Sequence, residues 1–178
     1  MLPGDILVFK KGNSLVTRLL SWLLQKFEPD YDGWGWHTAM VVMFRNPIDP
    51  VYYIVHSVDK GVSIAPLDDV PGEYRVYRWF TDTPTDKEVW LAANSLIGKP
   101  YDIDAYFGTI VAYIWHKLTG KSWRVIDDEF HCWELTFWMC RLLGEPIQPM
   151  TKYPLLSDLL KHYDEPSEDG IYRRTDGR

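Results

Sequence analysis

The segment FHCWELTFWMC at residues 130–140 holds both cysteines of the chain and one of its five histidines. A thiolate can attack a carbonyl carbon, and a histidine within hydrogen-bond reach is the usual base that generates it. The two cysteines are not equivalent. A helix over 131–143 places Cys132 in its first turn, where unsatisfied N–H groups and the positive end of the helix dipole favour an anion and lower a thiol pKa. The same N–H groups can stabilise an oxyanion. Leu135, Met139, Leu142 and Leu143 follow Cys132 at helical spacing, so the thiol shares the apolar face. Cys140 lies two turns further in, with no terminus to activate it, and reads as core. Buried filler is also the plain reading of Cys132. On one helix the two sulfurs are about 12 Å apart along the axis, too far to pair.

A base must come from elsewhere in the chain. His37 opens the stretch HTAMVVMF (37–44) and His56 nearly closes VYYIVHS (51–57). Both stretches read as strands, joined by the turn RNPIDP into an antiparallel hairpin. A turn centred near Asn46-Pro47 brings the two histidines to the same end of the hairpin, as a base and the residue that orients it. A one-residue register slip would send them to opposite faces. His116 reads as an ordinary, partly exposed residue, His131 points away from Cys132 on the helix, and His162 reads as solvated. A zinc site built from His37, His56 and Cys132 lacks any spacing signature, and no C-x-x-C or H-x-x-x-H occurs, so no metal and no cofactor are expected.

Further elements must hold these residues. Residues 5–9 (DILVF) read as a strand. Ser14 can cap a helix over 15–27, with Leu15, Leu19, Trp22, Leu23 and Phe27 on one face. Strands follow at 61–65 and 74–80. Thr85 opens a helix over 85–97 that ends at Gly98. The loop GKPYDIDAYFG leads into an apolar helix over 104–118, Asp127, Asp128 and Glu129 cap and solvate the approach to the cysteine helix, and a short helix fits 154–162. Helices around a run of strands indicate α+β. Residues 1–162 form one domain, and 163–178 form a polar, loosely ordered tail. Asp5 and Asp102 read as turn or cap residues.

Composition narrows the class. The chain has 178 residues and a net charge of -6, without a basic run, which argues against nucleic acid as a partner. Aromatic residues make up 15%, including nine Trp, enough for a large core with rings left over for a groove. The start MLPGDILVFKKG lacks the features of a cleaved signal, and the longest apolar stretches are too short to span a bilayer, so a cytoplasmic protein, or one delivered without a cleaved signal, is expected.

PGDILVF, HTAMVV, YIVHS followed by GVSIAPL, GKPYD and FHCWELTFWMCRLLG, in that order over most of residues 3–160, resemble the circularly permuted NlpC-type papain-fold hydrolases of the YiiX-like group. In that family the histidine strand precedes the cysteine helix. The resemblance implies an antiparallel sheet packed against helices, with Cys132 as nucleophile, His37 as base and His56 as the third, polar member. Many YiiX-like members have Glu at that third position, and His there is similar to the Cys-His-His form of other NlpC-type enzymes. The chain departs from the pattern at Trp133, where a small residue is common, and in the aromatic stretch AYFGTIVAYIWHKL.

The implied chemistry is acyl transfer. Cys132 attacks a carbonyl and forms a thioester, its backbone N–H helps bind the oxyanion, and water releases the product. Trp36, Tyr101 and Trp133 are candidates to line the substrate cleft or donate to the oxyanion. A packed tyrosine closing its loop is the plain reading of Tyr101. The leading expectation is a cysteine peptidase or amidase acting on a peptide or acyl substrate, such as cell-wall peptides. An acyltransferase or thioesterase on lipid-like substrates is the second, with a membrane surface less favoured because the amphipathic stretches carry few basic residues. A non-catalytic binding module that keeps the fold, with Trp133 covering the thiol, is the third.

Overall fold

The structure, a computed structural model, describes residues 1–10, 18, 22, 25–26, 35–44, 51–100, 114–121, 132–147, 162–163 and 166–173, with the backbone alone at 36, 43 and 44. Six strands form one sheet: β1 (Ile6–Lys10), β2 (Gly35–Phe44), β3 (Val51–Val58), β4 (Gly61–Pro66), β5 (Tyr74–Arg78) and β6 (Ile171–Arg173), in the order β4-β3-β2-β1-β5-β6. All neighbouring strands are antiparallel except β5 and β6, which run parallel. Among the described residues two α-helices accompany the sheet, α1 (Asp86–Asn94) and α2 (Cys132–Leu142), and residues 114–119 are also helical. The class is α+β.

The middle of the sheet is buried on both faces. Ile6, Val8, Met40, Val42, Val55 and Val62 share one apolar cluster with Val89 and Ala93 of α1 and with Cys132, Trp133, Leu135, Phe137, Met139 and Cys140 of α2. Leu7, Phe9, Ala39, Val41 and Ile54 form a separate cluster with Leu67. Successive side chains along a strand point to opposite faces, so these clusters are the two sides of the sheet. Two-sided burial is why ILVF and AMVV read as continuous apolar runs rather than as apolar–polar alternation.

Local signals set the helix ends. Thr85 accepts from the N–H of Glu88, and Glu88 returns a bond to the N–H of Thr85, forming a reciprocal cap at the start of α1. The sequence suggests that this helix reaches residue 97. It ends at Asn94, where the N–H groups of Leu96 and Ile97 both turn back to the Ala93 carbonyl. That tightened turn closes at Gly98, whose φ of 80° suits a residue without Cβ. Asp5, expected as a turn or cap residue, does more than cap. It accepts from the Leu2 N–H at 2.7 Å and takes both arms of the Arg78 guanidinium at 2.9 Å. With Asp5 only 2% exposed, this pair ties the entry of β1 to the end of β5.

Residues 171–173, within the stretch expected to be a loose tail, form β6 on the edge of the sheet. Tyr172 stacks on Tyr77 with ring centroids 4.5 Å apart, and the Arg75 guanidinium lies 5.6 Å from the Tyr172 ring. One short strand hidden in a polar context gives too few residues for an alternation signal, and the stacking partner is almost a hundred positions away in the chain. Among the described residues no helix is long and apolar enough to cross a membrane. Most of the helices expected over 15–27, 104–118 and 154–162 lies outside the described residues.

Candidate functional site

The hairpin register is the first determinant of the site. Phe44 pairs with Val51 and Ala39 with His56, so the strands cross with His37 two residues beyond the position opposite His56. An offset of two keeps both side chains on one face. The imidazoles meet edge to face with centroids 5.6 Å apart. The His37 ring also lies 5.6 Å from Phe9, its cross-strand partner on β1. The expected pairing of His37 with His56 is therefore present.

Cys132 sits on the other side. It belongs to the cluster under α2, and it is Thr38, the residue after His37, that faces it. The Thr38 hydroxyl donates to the Cys132 carbonyl at 2.8 Å and accepts from the Thr136 hydroxyl at 2.8 Å. Thr136 also lies 3.2 Å from the Cys132 carbonyl, one helical turn back. The first turn of α2 is thus fastened to β2 beside His37. Strand alternation nevertheless turns the His37 ring to the opposite face, towards Phe9 and His56. The structure brings the two histidines together on one face, while Thr38 on the other meets the first turn of α2. Physically, the separation comes from one residue of strand: the position facing α2 is 38, not 37.

Burial sets the protonation states. Cys132 is 2% exposed, and loss of solvent pushes its thiol up to about 11. The N–H groups of Thr38, Trp133 and Cys132 itself, together with the Thr38 hydroxyl, act on the sulfur in the opposite direction without overcoming it. The expectation that the helix terminus lowers the thiol pKa is reversed: desolvation outweighs the donors. His37 is held down to about 3, first by burial and then by repulsion from His56, although an edge of the residue still meets solvent. Burial lowers His56 as well. Buried Nε2 of His37 and Nδ1 of His56 have no hydrogen-bond partner among the described residues, which fits neutral rings packed against apolar neighbours. At neutral pH the thiol and both imidazoles are uncharged.

The other expected residues fall as follows. Trp133 is 1% exposed, among the largest fully buried side chains, and is part of the core under the sheet rather than of an open cleft wall. Trp36 is placed by its backbone alone, as the extra residue where the β1–β2 register shifts between Phe9–His37 and Lys10–Gly35. Tyr101, His131 and the acidic residues 127–129 lie outside the described residues. Cys140 is fully buried, as expected. His116 is exposed, whereas His162, expected in solvent, packs edge-on against Trp79 at 5.2 Å. Among the described residues no group of three or more His, Cys, Asp or Glu could hold a metal ion.

Sequence reasoning missed Thr38 and Thr136. A signal was available for each: Thr38 alternates with His37 on β2, and Thr136 stands at i+4 from Cys132, where a hydroxyl can bond back along the helix. No protein-family model matches the chain, and no curated protein matches its sequence.

Proposed function

We propose that the chain is a thiol hydrolase of circularly permuted, papain-like NlpC-type fold, cleaving amide or peptide bonds through a thioester on Cys132. The observation that carries this reading is the seat of the Cys132 sulfur. It lies in the first turn of a helix fastened to β2, with three backbone N–H groups acting on it as they would on an anion. The order of elements, histidine strand before cysteine helix, supports the same reading.

In the reaction His37 takes the thiol proton and Sγ bonds to the carbonyl carbon. The amine leaves with that proton, and water then splits the thioester. His56 holds the His37 ring edge to face in the arrangement seen here, before that ring turns to the thiol. The substrate is a peptide or acyl group, and the chemistry needs no cofactor. This mechanism requires the His37 ring to come round to the α2 face. The bulge at Trp36 is the point on β2 where that rotation can occur, because bulges bend a strand and re-aim its side chains.

A second reading, a non-catalytic module that keeps the fold, is favoured by one observation: a buried thiol held neutral. An activated ester separates the two. Incubation with p-nitrophenyl acetate and peptide mapping should find acetyl on Cys132 and not on Cys140, with a burst of p-nitrophenol that His37→Gln abolishes. Equal, slow acetylation of both cysteines, unaffected by His37→Gln in a folded variant, would overturn the hydrolase reading and leave the second.

A further inference from the structure

The end of α2 remote from Cys132 borders a second feature, which the chemistry above does not use. A groove of about 770 Å³ runs between α1 and the C-terminal end of α2, lined by Asp82, Glu88, Leu91, Leu142 and Glu145 among others. Two of these side chains are apolar and exposed: Leu91 at 57% and Leu142 at 49%. Three carry carboxylates, and among the described residues no basic side chain lines the groove. Lys87 belongs to a neighbouring, smaller hollow.

Two of the three carboxylates are fixed in place. Glu88 is held by its cap to Thr85, and the Glu145 carboxylate accepts from the Thr81 N–H at 3.0 Å. The Glu145 carbonyl in turn receives the Trp79 indole N–H at 2.6 Å, which anchors the turn after α2 to the end of β5. A negative rim held on rigid elements around two exposed leucines is complementary to a segment bearing cationic and aliphatic side chains on one face.

We infer that this groove is a docking site for a basic amphipathic peptide segment of a partner protein, whose Lys or Arg side chains meet Asp82, Glu88 and Glu145 while a leucine-sized side chain covers Leu91 and Leu142. The site lies about 15 Å along α2 from Cys132, given the helical rise per residue. Occupancy of the groove is therefore separable from chemistry at the thiol.

The test uses the full chain and a fluorescent amphipathic helical peptide with Leu and Lys at i, i+3 and i+4 spacing, compared with the same peptide carrying Glu in place of Lys. Fluorescence anisotropy should show binding of the Lys peptide alone, weakened at least about tenfold when salt rises from about 0.05 M to about 0.5 M. Leu91→Asp and Asp82→Lys should each weaken binding about tenfold or more, since both change exposed groups at the contact. Asp68→Lys makes the same change in net charge on the other face of the sheet and should leave the affinity unchanged. Three results would each overturn the inference: equal binding of the Glu peptide, no loss in Leu91→Asp, or an equal loss in Asp68→Lys, which would reduce the effect to overall charge. Circular dichroism of each variant establishes that it is folded, and Asp82→Lys, at an exposed position, keeps the test standing should Leu91→Asp fail to fold.

Discussion

Acid should begin to destabilise this protein above the range in which its carboxylates titrate, and the histidine pair is the reason. His37 falls from its ordinary value of 6.5 to about 3 in the fold. Between those values the unfolded chain binds a proton that the folded chain refuses, so stability rises with pH across the window and is lost as pH falls from 6.5 towards 3. At about pH 5 the linkage relation gives a loss of about 2 kcal/mol relative to about pH 7, an upper figure because an edge of His37 meets solvent. His56 is lowered in the same direction and adds to the loss. For a chain of this size the change corresponds to a fall in Tm of roughly 4–8 °C. Urea unfolding at the two pH values, followed by tryptophan fluorescence, measures it directly. His37→Phe keeps an aromatic ring against Phe9 and removes the titration, so its stability should fall with pH by less than half as much as that of the native protein. A native protein equally stable at both pH values, or a variant with an unchanged pH slope, would refute the reasoning that ties acid sensitivity to this pair.

Three further changes probe the framework that holds the site. Thr38→Val should cost about 1–2 kcal/mol in urea unfolding, because the Cys132 carbonyl loses its 2.8 Å hydroxyl donor inside the core. Asp5→Asn leaves the Arg78 guanidinium without its charged partner and should cost about 3 kcal/mol by the same measurement. Gly61 has φ of 96°, and a Cβ there would press on the Lys99 carbonyl oxygen, which accepts from the Val62 N–H at 2.9 Å. Gly61→Ala should therefore lose more than about 1 kcal/mol, with hydrogen exchange rising first at Val62 and Gly98.

Much of the framework was legible in sequence. The strands at ILVFK, GWHTAMVVMF, VYYIVHSV and GVSIAP lie close to where β-branched and aromatic runs between turn residues put them. Thr85 and Gly98 marked the limits of the α1 segment, and Gly144, at φ of 90°, marked the stop of α2. The pairing of His37 with His56 was legible as well, because it depends only on register parity within one hairpin. The edge strand β6 was hidden because three residues in a polar context carry no periodicity.

The sequence by itself determined the helix that begins with Cys132, the hairpin that joins the two histidines, and the separation of the two cysteines by helix position. All of these follow from local periodicity, caps and turn residues, which act over a few positions. Tertiary structure alone decided which face of β2 receives α2. In HTAMVV nearly every residue suits burial, so the pattern carries no preference between the face of His37 and the face of Thr38. That choice is made by packing residues nearly a hundred positions apart in the chain, and it sets Thr38 rather than His37 against Cys132. The same burial reversed the thiol: a helix terminus favours the anion locally, but the cost of removing the sulfur from water is settled by everything packed around it.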